Sequence, residues 1–197
     1  VGWEFRNNSW QWFGGSENVD LRFGYYSSKA KSIDDIAYNA PYYTMVRSAG
    51  NDRNDFGNGS RPPDGPYDCL GPEAVTKNTL VVGAITGFAN YAGPESAVMS
   101  QFSSWGPTDD GRIKPDIVAD GVGVFSTSSS ADDGYTILDG TSMSAPNVTG
   151  SLAVLQSYYK SKSDTFLTSA ALKALVIHTA REAGVEKGPD YIHGWGI

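Results

Sequence analysis

The 197-residue chain has few of the residues that form disulfides or act as catalytic bases. It has one cysteine, Cys69, so no disulfide can form within it, and two histidines, His178 and His193. No apolar run is long enough to cross a membrane. Its 15 basic residues stand against 22 acidic ones, giving a formal net charge of −7. This charge argues against nucleic acid or an anionic membrane as the main partner, and it suits a soluble extracellular protein.

What the chain does contain predicts one folded domain. Apolar residues make up 40% and aromatic residues 12%, enough for a sizeable core. Residues 1–28 predict a short strand that runs into a loop, and residues 52–73 predict a long polar loop. Apolar patterns predict strands over 43–48, 78–85 and 116–121, a hairpin with its turn at 128–133, and helices over 31–40, after Ser142 and after Thr168. Because strands alternate with helices, we expect an α/β layered fold with a largely parallel sheet.

The segment GTSMSAPNVTG, residues 140–150, carries the strongest chemical signal. It places Ser142 at the start of a helix, where free backbone N–H groups and the helix dipole favour negative charge. A serine there is most often only a helix cap, whereas a nucleophile would also need a base. We expect His178 to be packed within a helix and His193 to lie in a C-terminal loop. Neither is well placed to act as that base.

Several segments together resemble the C-terminal half of a subtilisin-like serine protease, or subtilase. GTSMSAP resembles the family's nucleophile motif, and TMVRSAGND resembles the strand and turn that carry its oxyanion donor. SSWGPTDDGRIKPDIVADG is similar to the segment that leads toward the serine, and LKALVIHTA and GPDYIHGWGI resemble the end of the domain. The matches follow the family's order. The resemblance implies a three-layer α/β fold with a mostly parallel sheet, of which residues 1–197 form the C-terminal portion of one catalytic domain.

The resemblance also implies roles for individual residues. Ser142 would be the nucleophile and Asn51 the oxyanion donor of a serine endopeptidase that forms an acyl-enzyme. The substrate would be bound by Ser48, Ala49, Gly50 and Thr141, and through the weaker match NNSW by Ser9 and Trp10. The chain departs from the family pattern at Asn147, where a structural histidine is usual, at Asp120, where a proline is usual, and at Gln11, where a glycine is usual.

The family orders its triad Asp, His, Ser, so the resemblance places the first two upstream of Val1. We therefore expect the chain to be a piece of a longer precursor, to be inactive alone, and to need the N-terminal part of the same domain. The expected substrate is a polypeptide, and the expected location is secreted or in the cell envelope. No cofactor is required, although a structural calcium is possible.

Other interpretations remain open. Asn51 alone would more often be a turn residue, and Cys69 is expected to be a buried, inert thiol. Asp132, Asp133 and Asp139 lack regular ligand spacing and are expected to be solvated loop charges rather than calcium ligands. The chain could also be a non-catalytic, subtilase-like structural or binding domain.

Overall fold

The computed structural model describes residues 23–54, 67–88 and 90–197 in full, and residues 2–6 and 9–13 by their backbone alone. The strands are β1 Gly2–Arg6, β2 Ser9–Phe13, β3 Val46–Ser48, β4 Leu80–Thr86, β5 Ile117–Val122, β6 Val124–Thr127 and β7 Tyr135–Leu138. The helices are α1 Ser28–Asn39, α2 Thr141–Ser163 and α3 Ser169–Thr179, with one short 3₁₀ turn at Pro94–Ser96.

A parallel sheet in the order β3-β4-β5 forms the centre of the fold. Side chains along β4 alternate between its faces, as the pleat of a strand requires. Leu80 and Val82 pack with Val148 and Leu152 of α2, whereas Val81 packs in a separate cluster with Ala30 of α1. Helices therefore cover both faces of the sheet, and the predicted three-layer α/β fold is confirmed.

The remaining strands form two antiparallel pairs. β6 and β7 pair from Val124 opposite Leu138 to Thr127 opposite Tyr135, which confirms the predicted hairpin. β1 and β2 also pair, with Arg6 opposite Ser9, where the sequence had predicted one strand followed by a loop. That prediction missed the second strand because a polar, aromatic-rich segment gave no clear alternation. Among the described residues, no helix has both the length and the apolar character needed to cross a membrane.

Helix α2 has one buried face and one exposed face. Val148 and Leu152 are buried against the sheet, as their spacing predicted. Gly150, by contrast, is exposed. A Cβ placed on it would meet no described atom within 4 Å. The face of α2 that carries Gly150 is therefore open in this chain.

A buried ion cluster fixes the start of β5. The Asp116 carboxylate contacts Lys114 Nζ at 2.7 Å and Lys173 Nζ at 3.0 Å, and it accepts a hydrogen bond from Val81 N at 2.7 Å. Burial lowers the pKa of Lys114 to about 8, and the charge of Asp116 opposes this shift. The cluster joins β4, β5 and α3 at the amino ends of the strands, on the sheet edge opposite to the one that β3 reaches at Ser48.

Gly121 allows the start of α2 to approach β5 closely. A Cβ on this residue would lie 2.7 Å from the Cβ of Ala84 and 2.8 Å from the carbonyl oxygen of Gly140. We predict that Gly121→Ala lowers the free energy of unfolding by about 2 kcal/mol, because well-packed backbone cannot make room for the methyl group. Denaturant midpoints measure the effect. Gly71→Ala is the matched control, since a Cβ there meets nothing within 4 Å. Equal losses in the two variants would contradict this account.

Candidate active site

The site lies where the turn after β3 meets the first residues of α2. β3 ends at Ser48, the turn carries Asn51, and α2 begins at Thr141. The side-chain oxygen of Asn51 accepts hydrogen bonds from Thr141 N at 3.0 Å and from Thr141 Oγ1 at 2.9 Å. The carboxyl ends of parallel strands are where α/β folds commonly bind ligands. The structure thus brings Asn51 next to Ser142, the second residue of the helix.

Three polar groups of the site have no partner among the described residues: the Asn51 amide nitrogen, the Ser142 N–H and the Ser142 hydroxyl. Because Thr141 occupies the Asn51 oxygen, the nitrogen Nδ2 is the group left to donate. A Cβ placed on Gly140 would lie 3.5 Å from Asn51 Nδ2 and 3.7 Å from Ser142 N, so both donors border the same small space. The N-terminus of α2 adds a positive potential there.

A second set of contacts holds the turn that carries Asn51. Ser104 N donates to the Gly50 carbonyl at 2.8 Å, and Ser104 Oγ accepts from Asp52 N at 3.0 Å. Gly50 has a φ of +115° and donates its N–H to Thr141 Oγ1 at 3.2 Å. The turn is therefore hydrogen-bonded to Ser104 on one side and to Thr141 on the other. Sequence reasoning missed Ser104, although it lies within the SSWGP segment that carries the resemblance.

The residues expected to bind substrate fall into three groups. Ser48 and Gly50 are half-buried at the end of β3. Ala49 and Thr141 are only 1% exposed, so any contact that they make with a substrate would be through their backbone. The backbone of Ser9 and Trp10 lies in β2, but their side chains lie outside the described residues.

Neither histidine is placed to act on Ser142. His178 lies in the last turn of α3 and is exposed, so the expectation that it is packed was wrong. His193 is buried in the C-terminal loop, with Nδ1 at 3.7 Å from Asp190 Oδ2. Among the described residues, the Ser142 hydroxyl has no base within hydrogen-bonding distance.

Other candidate groups lie outside the site. Cys69 is fully buried, and burial raises the pKa of its thiol, as expected for an inert cysteine. The part of the chain that the structure describes holds no group of three His, Cys, Asp or Glu residues able to hold a metal ion. Asp120 and Asn147, the two departures within the described residues, both line a cavity of about 370 Å³ between β5, α2 and α3.

The model of the subtilase family matches residues 4–196. The chain belongs to the subtilase family. C5a peptidase from Streptococcus pyogenes is 52% identical over 64 residues, which cover 32% of this chain and 5% of that protein. The PII-type proteinase from Lactococcus lactis subsp. cremoris is 38% identical over 94 residues, which cover 42% of this chain and 5% of that protein. The chain thus spans about a twentieth of the length of these relatives.

Solved structures agree with this assignment. The CspB protease of Clostridium perfringens is 31% identical, with a TM-score of 0.55, over 66% of this subtilase chain and 27% of that chain. The match to the S41 psychrophilic protease covers 91% of this chain and 55% of that chain, with a TM-score of 0.64. Because its identity is only 21%, it supports the fold alone.

The effect of the hydrogen bonds from Thr141 to Asn51 can be tested in the complete protein. We predict that Thr141→Val slows the reaction of Ser142 with a fluorophosphonate about tenfold, because Asn51 then loses one of its two hydrogen bonds and Gly50 N loses its acceptor. Thr141→Ser is the matched control, since it keeps the hydroxyl, and it should stay within about threefold of the wild type. The labelling rate constant is the measurement. A slow Thr141→Ser variant beside a normal Thr141→Val variant would contradict the role of the hydroxyl.

Proposed function

We propose that this chain is the nucleophile-bearing part of a subtilisin-like serine endopeptidase. The observation that carries the proposal is the double hydrogen bond from Thr141 to the Asn51 oxygen, which leaves the Asn51 nitrogen free beside Ser142. Membership of the subtilase family supports a proteolytic activity in general. The assignment to Ser142 and Asn51 is the specific part of the proposal.

In the proposed reaction, the Ser142 hydroxyl attacks a peptide carbonyl and forms a tetrahedral adduct. The Asn51 amide and the Ser142 N–H donate to the oxygen that becomes negative, and the helix dipole of α2 stabilises the same charge. Collapse of the adduct expels the amine and leaves an acyl-enzyme on Ser142, which water then hydrolyses. One such side-chain donor contributes about 3 kcal/mol of transition-state stabilisation, a magnitude known from subtilisin rather than derived from this structure.

We propose further that the proton acceptor comes from an N-terminal part of the same domain. Two features of this chain support a missing neighbour. Within the described residues, β3 pairs only with β4, so its other edge is open to another strand. Helix α2 exposes Gly150, Val154 and Tyr158 along one stripe, although a glycine inside a helix costs about 1 kcal/mol relative to alanine. Close packing by a second element would explain that glycine.

The proposal also covers substrate binding, cofactors and location. We assign the substrate-binding edge to Ser48, Ala49, Gly50 and Thr141, with Ser9 and Trp10 contributing from β2. The substrate is a polypeptide, and the reaction itself uses no cofactor. A calcium ion that stabilises the complete domain stays a prediction, as does a secreted or cell-envelope location for a chain of this acidic composition.

The first experiment labels the complete protein with a fluorophosphonate probe. We expect covalent labelling at Ser142, no labelling of Ser142→Ala, and a fall in kcat of about a hundredfold for Asn51→Leu with little change in KM, because the donor acts mainly in the transition state. Mass spectrometry of the labelled peptide and steady-state kinetics on a peptide reporter are the measurements. A folded wild-type protein that never labels and never cleaves would support the non-catalytic alternative.

The second experiment concerns assembly. We predict that the isolated 197-residue chain cleaves no peptide reporter, and that adding its N-terminal part restores cleavage. Gly150→Leu should weaken this complementation at least tenfold, because the larger side chain occupies the space left for the partner. Val185→Leu, at a residue 84% exposed in a loop, is the control. Robust cleavage by the isolated chain, abolished by Ser142→Ala, would refute the proposed division of the site.

A further inference from the structure

One face of the β6–β7 hairpin carries an exposed apolar patch. Phe125 lies directly opposite Ile137, and Tyr135 lies two residues from Ile137 along the same strand, so the three side chains share a face. They are 65%, 63% and 60% exposed respectively. The rings of Phe125 and Tyr135 stack with centroids 5.1 Å apart and an interplanar angle of 13°. We call these three residues the hairpin patch.

The base of the hairpin is fixed to the start of α2. Gly123 N donates to the Asp139 carboxylate at 2.6 Å, and Gly140 N donates to the Gly121 carbonyl at 2.8 Å. Ile137 precedes Ser142 by five residues, so their Cα atoms lie within about 18 Å of each other even if the connection were fully extended. An extended polypeptide held at Ser142 reaches that distance within about six residues.

The charged residues of the hairpin itself all have one sign. The residues from 123 to 140 include Asp132, Asp133 and Asp139, all exposed, and no Lys, Arg or His. An apolar surface bordered by carboxylates favours a partner that offers apolar or aromatic side chains with basic residues nearby.

We propose that the hairpin patch is a docking surface for the substrate polypeptide, which contacts it with apolar or aromatic side chains flanked by Lys or Arg, within about six residues of the cleaved bond. The inference rests on the proposed function, because it takes Ser142 as the point of attack. Both outer edges of the hairpin are unpaired within the described residues, so an extended segment can also add to β6 or β7 through its backbone.

The size of the hairpin patch favours a peptide over a second copy of the chain. Three large side chains at this exposure offer roughly 300–400 Å². A stable protein interface needs about 800 Å² per partner. A substrate needs less, because Ser142 and the strand β3 edge would hold the same polypeptide at a neighbouring point, and linked contacts reinforce each other.

The test compares three substrates of the complete protein. One is a short peptide with a fluorophore and a quencher on opposite sides of the cleaved bond. The other two extend it by eight residues that include Phe, Leu and Lys, one on the N-terminal side and one on the C-terminal side. In the variant Phe125→Ser/Tyr135→Ser/Ile137→Ser, we expect kcat/KM to fall about tenfold or more for at least one extended substrate, through KM, and to stay within twofold for the short reporter. If the triple variant does not fold, the single variant Ile137→Thr, which keeps a β-branched side chain, replaces it. Its kcat/KM for at least one extended substrate should be two- to threefold lower than that of the wild type.

The control carries the same kind of change at three exposed apolar residues elsewhere, Ile36→Ser, Tyr38→Ser and Val185→Ser, which are 55%, 80% and 84% exposed. It should cleave every substrate like the wild type.

The charge of the substrate gives a second measurement. Replacing Lys by Glu in the extended substrates should raise KM in the wild type, and 0.5 M salt should reduce that difference. Unchanged kinetics of the triple and single variants on every extended substrate would overturn the proposal. So would concentration-dependent dimerisation that the triple variant abolishes, because a second copy would then cover the patch. A wild type that cleaves none of the three substrates would instead refute the proposed function.

Discussion

The hydrogen bonds from Thr141 to the Asn51 oxygen are the constraint on which the site depends. They join two residues that are 90 positions apart in the sequence, and they do so at the carboxyl edge of the parallel sheet. An asparagine side chain has two polar ends that can exchange places by rotation. Fixing its oxygen decides which end remains available, so the nitrogen is presented to a ligand before any ligand arrives. Pre-oriented donors of this kind lose little freedom on binding, which makes them effective at stabilising charge.

That contact is possible because backbone approaches backbone closely around it. Gly121 lets the first turn of α2 approach β5, and Gly50 adopts a positive φ that places its neighbours between Ser104 and Thr141. A Cβ at Gly121 would meet the Ala84 Cβ and the Gly140 carbonyl oxygen, which cannot move without displacing a strand or a helix. At Gly50 the positive φ itself disfavours any residue with a side chain. At the opposite edge of the sheet, the buried Asp116 cluster secures the amino ends of β4 and β5. The register of the strands is thus held at both ends.

Much of this arrangement could be predicted from the sequence, and the failures have a common cause. The parallel strands, the β6–β7 hairpin and the helices follow from local apolar patterns. The proximity of Asn51 to Ser142 followed from the resemblance of two short segments to the subtilase family. The exposure of His178, the open space around Gly150, the burial of Thr141 and the role of Ser104 were not predicted. Each of these depends on which distant segment lies next to the residue, and no local pattern records that. Ser104, for example, acts on a residue 52 positions away.

Under the proposed function, the open face of α2 and the unpartnered Ser142 hydroxyl have a common explanation. The groups that would stabilise an oxyanion all come from this chain, so their geometry needs nothing from outside. A base, by contrast, must approach the Ser142 hydroxyl from the exposed side, where the described residues place no partner. A helix that buries Val148 and Leu152 and leaves Gly150 and Val154 in solvent has packed only half of its surface. An element that covered the open half would also run beside Ser142, so the packing of one element would complete both the core and the proposed catalytic site.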